Sequence, residues 1–204
     1  MINEKLFNFF VKYFKPARIC LVGTNDFIGK AIREAQAPLT RDKKISKWSH
    51  AFLMGNRRED GGYYIFESDL DVRLWEFKIR NGAQESRLEK WCKTEVEHAA
   101  VLDFHLSEEK ARFVLSEALR LVQEQIHYPI GELIGTWFQI LINKVWLPNP
   151  LDDEHAMYCS SYVRYCYQKA GIDILDENVH LTNTAPEHLW QSPIEHTTFE
   201  FQID

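Results

Sequence analysis

The sequence has no uninterrupted apolar run of the length a membrane span needs. "IGELIGTWFQILINKVWLP" comes nearest, and Glu132, Gln139, Asn143 and Lys144 break it. It has no C-x-x-C pair: four cysteines, at 20, 92, 159 and 166, make neither a disulfide framework nor a metal knuckle. It has no G-x-S-x-G elbow around Ser160 and Ser161, so those hydroxyls read as local helix-start bonds rather than nucleophiles. It has no excess of basic charge. A net charge of −6 excludes a general phosphate-backbone binder, and no nucleic-acid partner is expected. The one basic stretch, "TRDKKISKW" (40–48), reads as a solvated loop. Internal repeats, low-complexity tracts and interdomain linkers are also missing. The opening "MINEKLFNFFVKYFKPAR" lacks the small-residue cleavage site of a signal peptide, and Lys12 and Lys15 interrupt its apolar run. The expectation is therefore a reducing, cytoplasmic setting with free thiols.

What is there is core material. The 204 residues are 45% hydrophobic and 13% aromatic, enough for one substantial core, so a single domain over 1–204 is expected. Leu6, Phe9, Phe10, Tyr13 and Phe14 recur at helical spacing, which predicts an amphipathic helix within 1–16 docked on that domain. A membrane-surface helix is the second reading of the same pattern. Further strands are predicted at 17–23, 47–55, 63–72, 97–106 and 196–203, and a helix at 26–38. "SEEKARFVLSEALRLVQEQ" (107–125) predicts a helix capped by Ser107, with Ala111, Val114, Leu115, Ala118, Leu119 and Val122 as its buried stripe. A last helix carries Cys159 and Cys166 and closes at Gly171. The pattern is α+β with mostly antiparallel pairing.

The chemistry-bearing residues fall in two places. If Met54 and Tyr63 are the last facing pair of the hairpin, His50 lies directly opposite Glu67 on one face. A carboxylate there fixes the imidazole tautomer and raises its basicity, which is what a catalytic histidine needs. Trp48, Phe52 and Met54 share that face, so a purely structural His–Glu pair explains the same pattern. Cys159 lies at the start of its helix, where the dipole and free N–H groups stabilise a thiolate and receive an oxyanion. Cys166, two turns on, has only an apolar face, and Cys20 and Cys92 also read as packing thiols. His155 and Cys159 sit four residues apart without a second ligand pair, so neither a metal nor another cofactor is expected. The apolar stretch 134–147 reads either as a core helix or as a wall over a pocket.

"WSHAFLM", "YIFESDLDV", "YCSSYVRYCYQKAG" and "NTAPEHLWQSP", in that order, resemble the circularly permuted, NlpC-type papain-like cysteine hydrolases, in the YiiX-like branch. The resemblance runs from about Ile19 to about Pro193, beginning with "ICLVGTNDFIGKAIREAQ" as the family's opening strand and helix. In that family the histidine strand precedes the cysteine helix, as His50, Glu67 and Cys159 do here. The resemblance implies a permuted papain-like fold, with Cys159 as nucleophile, His50 as general base and then acid, and Glu67 as the orienting third group. It also implies amide substrates: a small peptide, a cell-wall peptide, an amino-acid amide or an acyl-chain amide. The sequence departs from the family at "GTND", where a Gly-Asp pair is usual, so the first-strand pocket residues and a side-chain oxyanion donor stay unassigned. Two other readings use the same residues: a binding module that has lost turnover, and an acyltransferase working on lipid acyl groups.

Overall fold

A strand whose residues are all buried has two cores to serve, and the fold is organised around one. The computed structural model describes residues 2–73, 78–126, 158–175 and 178–202. In chain order these form α1 (Glu4–Lys12), β1 (Ile19–Thr24), α2 (Phe27–Ala35), β2 (His50–Arg57), β3 (Tyr63–Arg73), β4 (Lys78–Arg87), β5 (Val96–Asp103), α3 (Glu108–Gln123), α4 (Cys159–Lys169), α5 (Pro186–Trp190) and β6 (Thr197–Glu200). Short 3₁₀ turns lie at Ala37–Leu39, Leu88–Trp91 and Leu181–Asn183. The strands make one six-stranded sheet in the order β4-β3-β2-β1-β5-β6, with every neighbouring pair antiparallel.

β1 lies inside this sheet and all of its residues are buried. Ile19 and Leu21 point into a core with Leu53, Ala100, Leu102, Val114 and Ala118, to which α4 adds Tyr162, Val163 and Cys166. Cys20 and Val22 point the other way, into a core with Phe52, Met54, Ile65 and the α1 residues Leu6 and Phe10. Helices thus cover both faces: α3 and α4 on one, α1 on the other. Each fully buried side chain of this size contributes roughly 1.5–3 kcal/mol, enough to hold so short a helix against the sheet. Asn3 caps α1 by accepting from the Leu6 N–H, and Ser107 caps α3 by accepting from Lys110. Gly171, at φ +74°, closes α4.

Four expectations are corrected. The stripe of α3 buries Leu121, and Leu119 is exposed. One residue past Ala118 is a further 100° around the helix, which carries Leu119 out of the core. The predicted helix over 26–38 stops at Ala35, and Pro38 lies in a separate 3₁₀ turn. The β2–β3 register differs too: Met54 pairs with Ile65, and Arg57 pairs with Tyr63 after an irregularity. β2 runs on through Arg57 before turning at 58–62, where Asp60 accepts from Gly62 and Gly61 takes φ +77°. Carried toward residue 50, this register sets Phe52 opposite Glu67, so His50 and Glu67 are diagonal neighbours, not facing ones. The slip is two residues, an even number, so both stay on one face. Finally, β4 has no counterpart among the strands expected from the sequence. It pairs with β3 along its whole length but lies at the sheet edge, where a strand needs little apolar patterning.

Among the described residues no helix is long and apolar enough to cross a membrane. The stretch 134–147, His127 and His155 lie outside the described residues.

Candidate active site

His50 is placed by backbone contacts at the end of β1. It pairs with Val22, the Ser49 N–H donates to the Val22 carbonyl at 2.8 Å, and the Thr24 N–H donates to Ser49 Oγ at 3.0 Å. The chain passes so close there that a Cβ on Gly23 would sit 1.8 Å from the Lys47 carbonyl oxygen, so only glycine fits. The start of β2 is thereby seated against β1 with the imidazole projecting from its first residue.

Glu67 lies within β3 and is fully buried. His50 Nε2 donates to its Oε2 at 3.0 Å, Trp91 Nε1 donates to the same oxygen at 2.7 Å, and Lys90 Nζ donates to Oε1 at 2.7 Å. Lys90 also reaches Asp69 Oδ2 at 2.6 Å. Burial opposes the Glu67 charge, but the Lys90 ammonium and the bond from His50 outweigh it and hold the carboxyl well below the usual carboxylate range. Burial likewise opposes the Lys90 cation, and the two carboxylates more than offset it, raising its pKa.

Cys159 is the first residue of α4, following Tyr158 in extended conformation. It is 3% exposed and His50 5%, so the two meet in a setting largely closed to water, where electrostatic interactions are strong. Burial lowers the His50 pKa. The charge and hydrogen bond of Cys159, the bond from Glu67 and the charge of Asp69 overcome that and push it up to about 10. With Nε2 committed to Glu67, Nδ1 is the ring nitrogen left for the sulfur. The structure therefore brings all three sequence-predicted residues together: Cys159, His50 and Glu67 form one connected chain of contacts. The arrangement is what nucleophilic catalysis requires, a thiol beside a base that a third group orients.

The other thiols are set apart by burial. It pushes Cys20 and Cys166 well above the ordinary thiol range, and Cys92 up to about 12. Ser160 Oγ donates to the Thr184 carbonyl and Ser161 Oγ to the Tyr158 carbonyl at 2.9 Å, so both hydroxyls are engaged locally. His188 caps the turn into α5 by accepting from the Ala185 N–H at 3.0 Å, and burial lowers its pKa to about 4.

Asp69, Lys90 and Trp91 are not among the residues the sequence singles out. Two carboxylates at i and i+2 on one face of a buried strand demand a cation, which was the available signal. Finding which cation required knowing that β4 exists, since β4 delivers the 3₁₀ turn carrying Lys90 and Trp91.

No family model matches the chain. No curated protein matches it either. Among solved structures it is similar to the crystal structure of YiiX from Escherichia coli O157:H7, described there as a metalloprotein. The TM-score is 0.57 at 17% identity, over 91% of this chain and 96% of that one. At that identity the likeness shows a YiiX-like fold. Among the described residues of this chain, no group of three or more His, Cys, Asp or Glu side chains is placed to hold a metal ion.

Proposed function

We propose that the protein is a cysteine hydrolase acting on amides, built on the permuted papain-like, NlpC-type plan in which the histidine strand precedes the cysteine helix. One observation carries the reading. A thiol at a helix start contacts a histidine whose far nitrogen is bonded to a buried, ionised carboxylate.

As the sulfur attacks, His50 takes the Cys159 proton, and the Glu67 charge stabilises the imidazolium so formed. The sulfur attacks the substrate carbonyl carbon, forming a C–S bond and placing the negative charge on oxygen. The backbone N–H of Cys159, unused by intrahelical bonding at this position, receives that oxyanion. Collapse breaks the C–N bond, and His50 delivers its proton to the departing amine. The neutral imidazole then takes a proton from water, whose oxygen attacks the thioester. Breaking the C–S bond releases the acid, and the sulfur regains its proton from His50. The substrate class follows from the resemblance: peptide, cell-wall-peptide, amino-acid-amide or acyl-amide carbonyls.

The test is a search for the acyl-enzyme. The full chain is mixed with a panel of acyl amides and activated acyl esters, and its intact mass is followed. The expected result is a mass gain equal to one acyl group, mapped to Cys159, absent in Cys159→Ala, and discharged to free acid. Discharge onto an added alcohol or amine in preference to water reassigns the protein as an acyltransferase. Reversible binding of the same compounds with no covalent adduct makes it a binding module and overturns the proposal.

A further inference from the structure

One short element outside the three proposed catalytic groups touches two of them at once. The 3₁₀ turn Leu88–Trp91 lays the Trp91 ring on the His50 ring, with centroids 4.3 Å apart and planes 23° from parallel. The same indole donates to Glu67 Oε2 at 2.7 Å, the oxygen that His50 uses at 3.0 Å. The neighbouring Lys90 takes the other oxygen at 2.7 Å and ties it to Asp69 at 2.6 Å. Phe52 lies beside both rings, 6.3 Å from Trp91 and 12° from parallel with it, and 6.4 Å from His50.

We propose that Lys90 and Trp91 are positioning residues for the Cys159–His50 pair. Trp91 fixes the plane of the imidazole, and Lys90 balances the charges of Glu67 and Asp69 and holds Glu67 aimed at Nε2. The inference rests on the catalytic reading of Cys159 and His50. A ring turned out of the stack also loses its bond to Glu67, so stacking and hydrogen bonding enforce one orientation together. The charges around the pair are Glu67 and Asp69 from β3, Lys90 from the turn, and the sulfur of Cys159 from α4. Tyr162 of α4 also senses Glu67, while its hydroxyl donates to the Ala118 carbonyl. Lys90 is the cation that opposes the two carboxylates, so without it their field on His50 is unbalanced.

The full chain is compared with Lys90→Met, Lys90→Arg and Trp91→Phe in two measurements. One is the rate of Cys159 alkylation by iodoacetamide as a function of pH, and the other is the NMR titration of the His50 ring. Lys90→Met is expected to move the acid limb of the alkylation profile up by roughly 0.5–1 pH unit, lower the rate on that limb about three- to tenfold, and move the His50 titration upward. Lys90→Arg restores all three. Trp91→Phe keeps an aromatic ring but loses the N–H, and slows alkylation about threefold without moving the limb. If Lys90→Met does not fold, Trp91→Phe decides the question by itself. Folded variants with the wild-type profile and an unmoved His50 titration overturn the proposal and leave the catalytic reading standing. A wild-type Cys159 that is not selectively alkylated overturns the catalytic reading instead, and the His50 titration then decides whether the turn orients the ring.

Discussion

Replacing Glu67 with glutamine keeps the side chain's shape and removes its charge from a fully buried position. Three donors converge there, from His50 at 3.0 Å and from Trp91 and Lys90 at 2.7 Å each. A glutamine has one oxygen to offer them, and its NH₂ is forced against at least one donor. Charge-assisted bonds are worth about 1.5–3 kcal/mol apiece, but the losses do not add, because Lys90 keeps Asp69 and His50 keeps Cys159. The net effect is that of one broken buried pair, about 3–5 kcal/mol. For a chain of this size that is a fall in Tm of about 6–20 °C. The pH dependence follows from the two shifts. Glu67 is depressed from an ordinary value of 4.5, so its stabilisation is fully present above pH 4.5 and fades as pH falls toward the folded value. His50 is raised from 6.5 to about 10, so its stabilisation is fully present below pH 6.5 and fades as pH rises through 10. The gap between wild type and Glu67→Gln is therefore widest between pH 4.5 and 6.5 and narrows on both sides. Thermal unfolding of both proteins from well below pH 4.5 to well above pH 6.5 is the assay. A Tm change under about 2 °C, flat with pH, would refute the network as described.

Gly23→Ala, whose Cβ would lie 1.8 Å from the Lys47 carbonyl, is expected to cost more than about 2 kcal/mol and to slow Cys159 alkylation by shifting the start of β2. Urea unfolding and the labelling rate together check it. Phe10→Ala on α1 empties a fully buried site against Phe52, whose ring lies 5.8 Å away, and should cost about 3–5 kcal/mol by urea unfolding. Its Cys159 labelling rate in the folded protein should stay near wild type, since α1 packs into a cluster separate from the one holding Cys159.

The sheet was legible where its strands are apolar: β1, β2, β3 and β5 carry patterns that only burial explains. β4 was not, because an edge strand reading "KIRNGAQESR" has few apolar positions to reveal it. The site was legible to the same extent. His50 and Glu67 share a face through parity alone, which survived an error of two residues in the register. Cys159 stood out through its place at the helix start, while Cys20 and Cys166 carried only apolar neighbours. Lys90 and Trp91 escaped because they reach Glu67 by way of the unseen strand. Which cation neutralises a buried acid is decided by topology, and the local sequence around either residue holds no record of it.

On the proposed reading, one sulfur of four is activated by one imidazole. Brief treatment of the native protein with iodoacetamide near neutral pH, followed by peptide mapping, tests it directly. Cys159 is expected to be modified first, with Cys20, Cys92 and Cys166 unmodified until the chain unfolds, and the Cys159 rate is expected to collapse in His50→Ala. Slow, uniform modification of all four thiols, indifferent to His50→Ala, would contradict it.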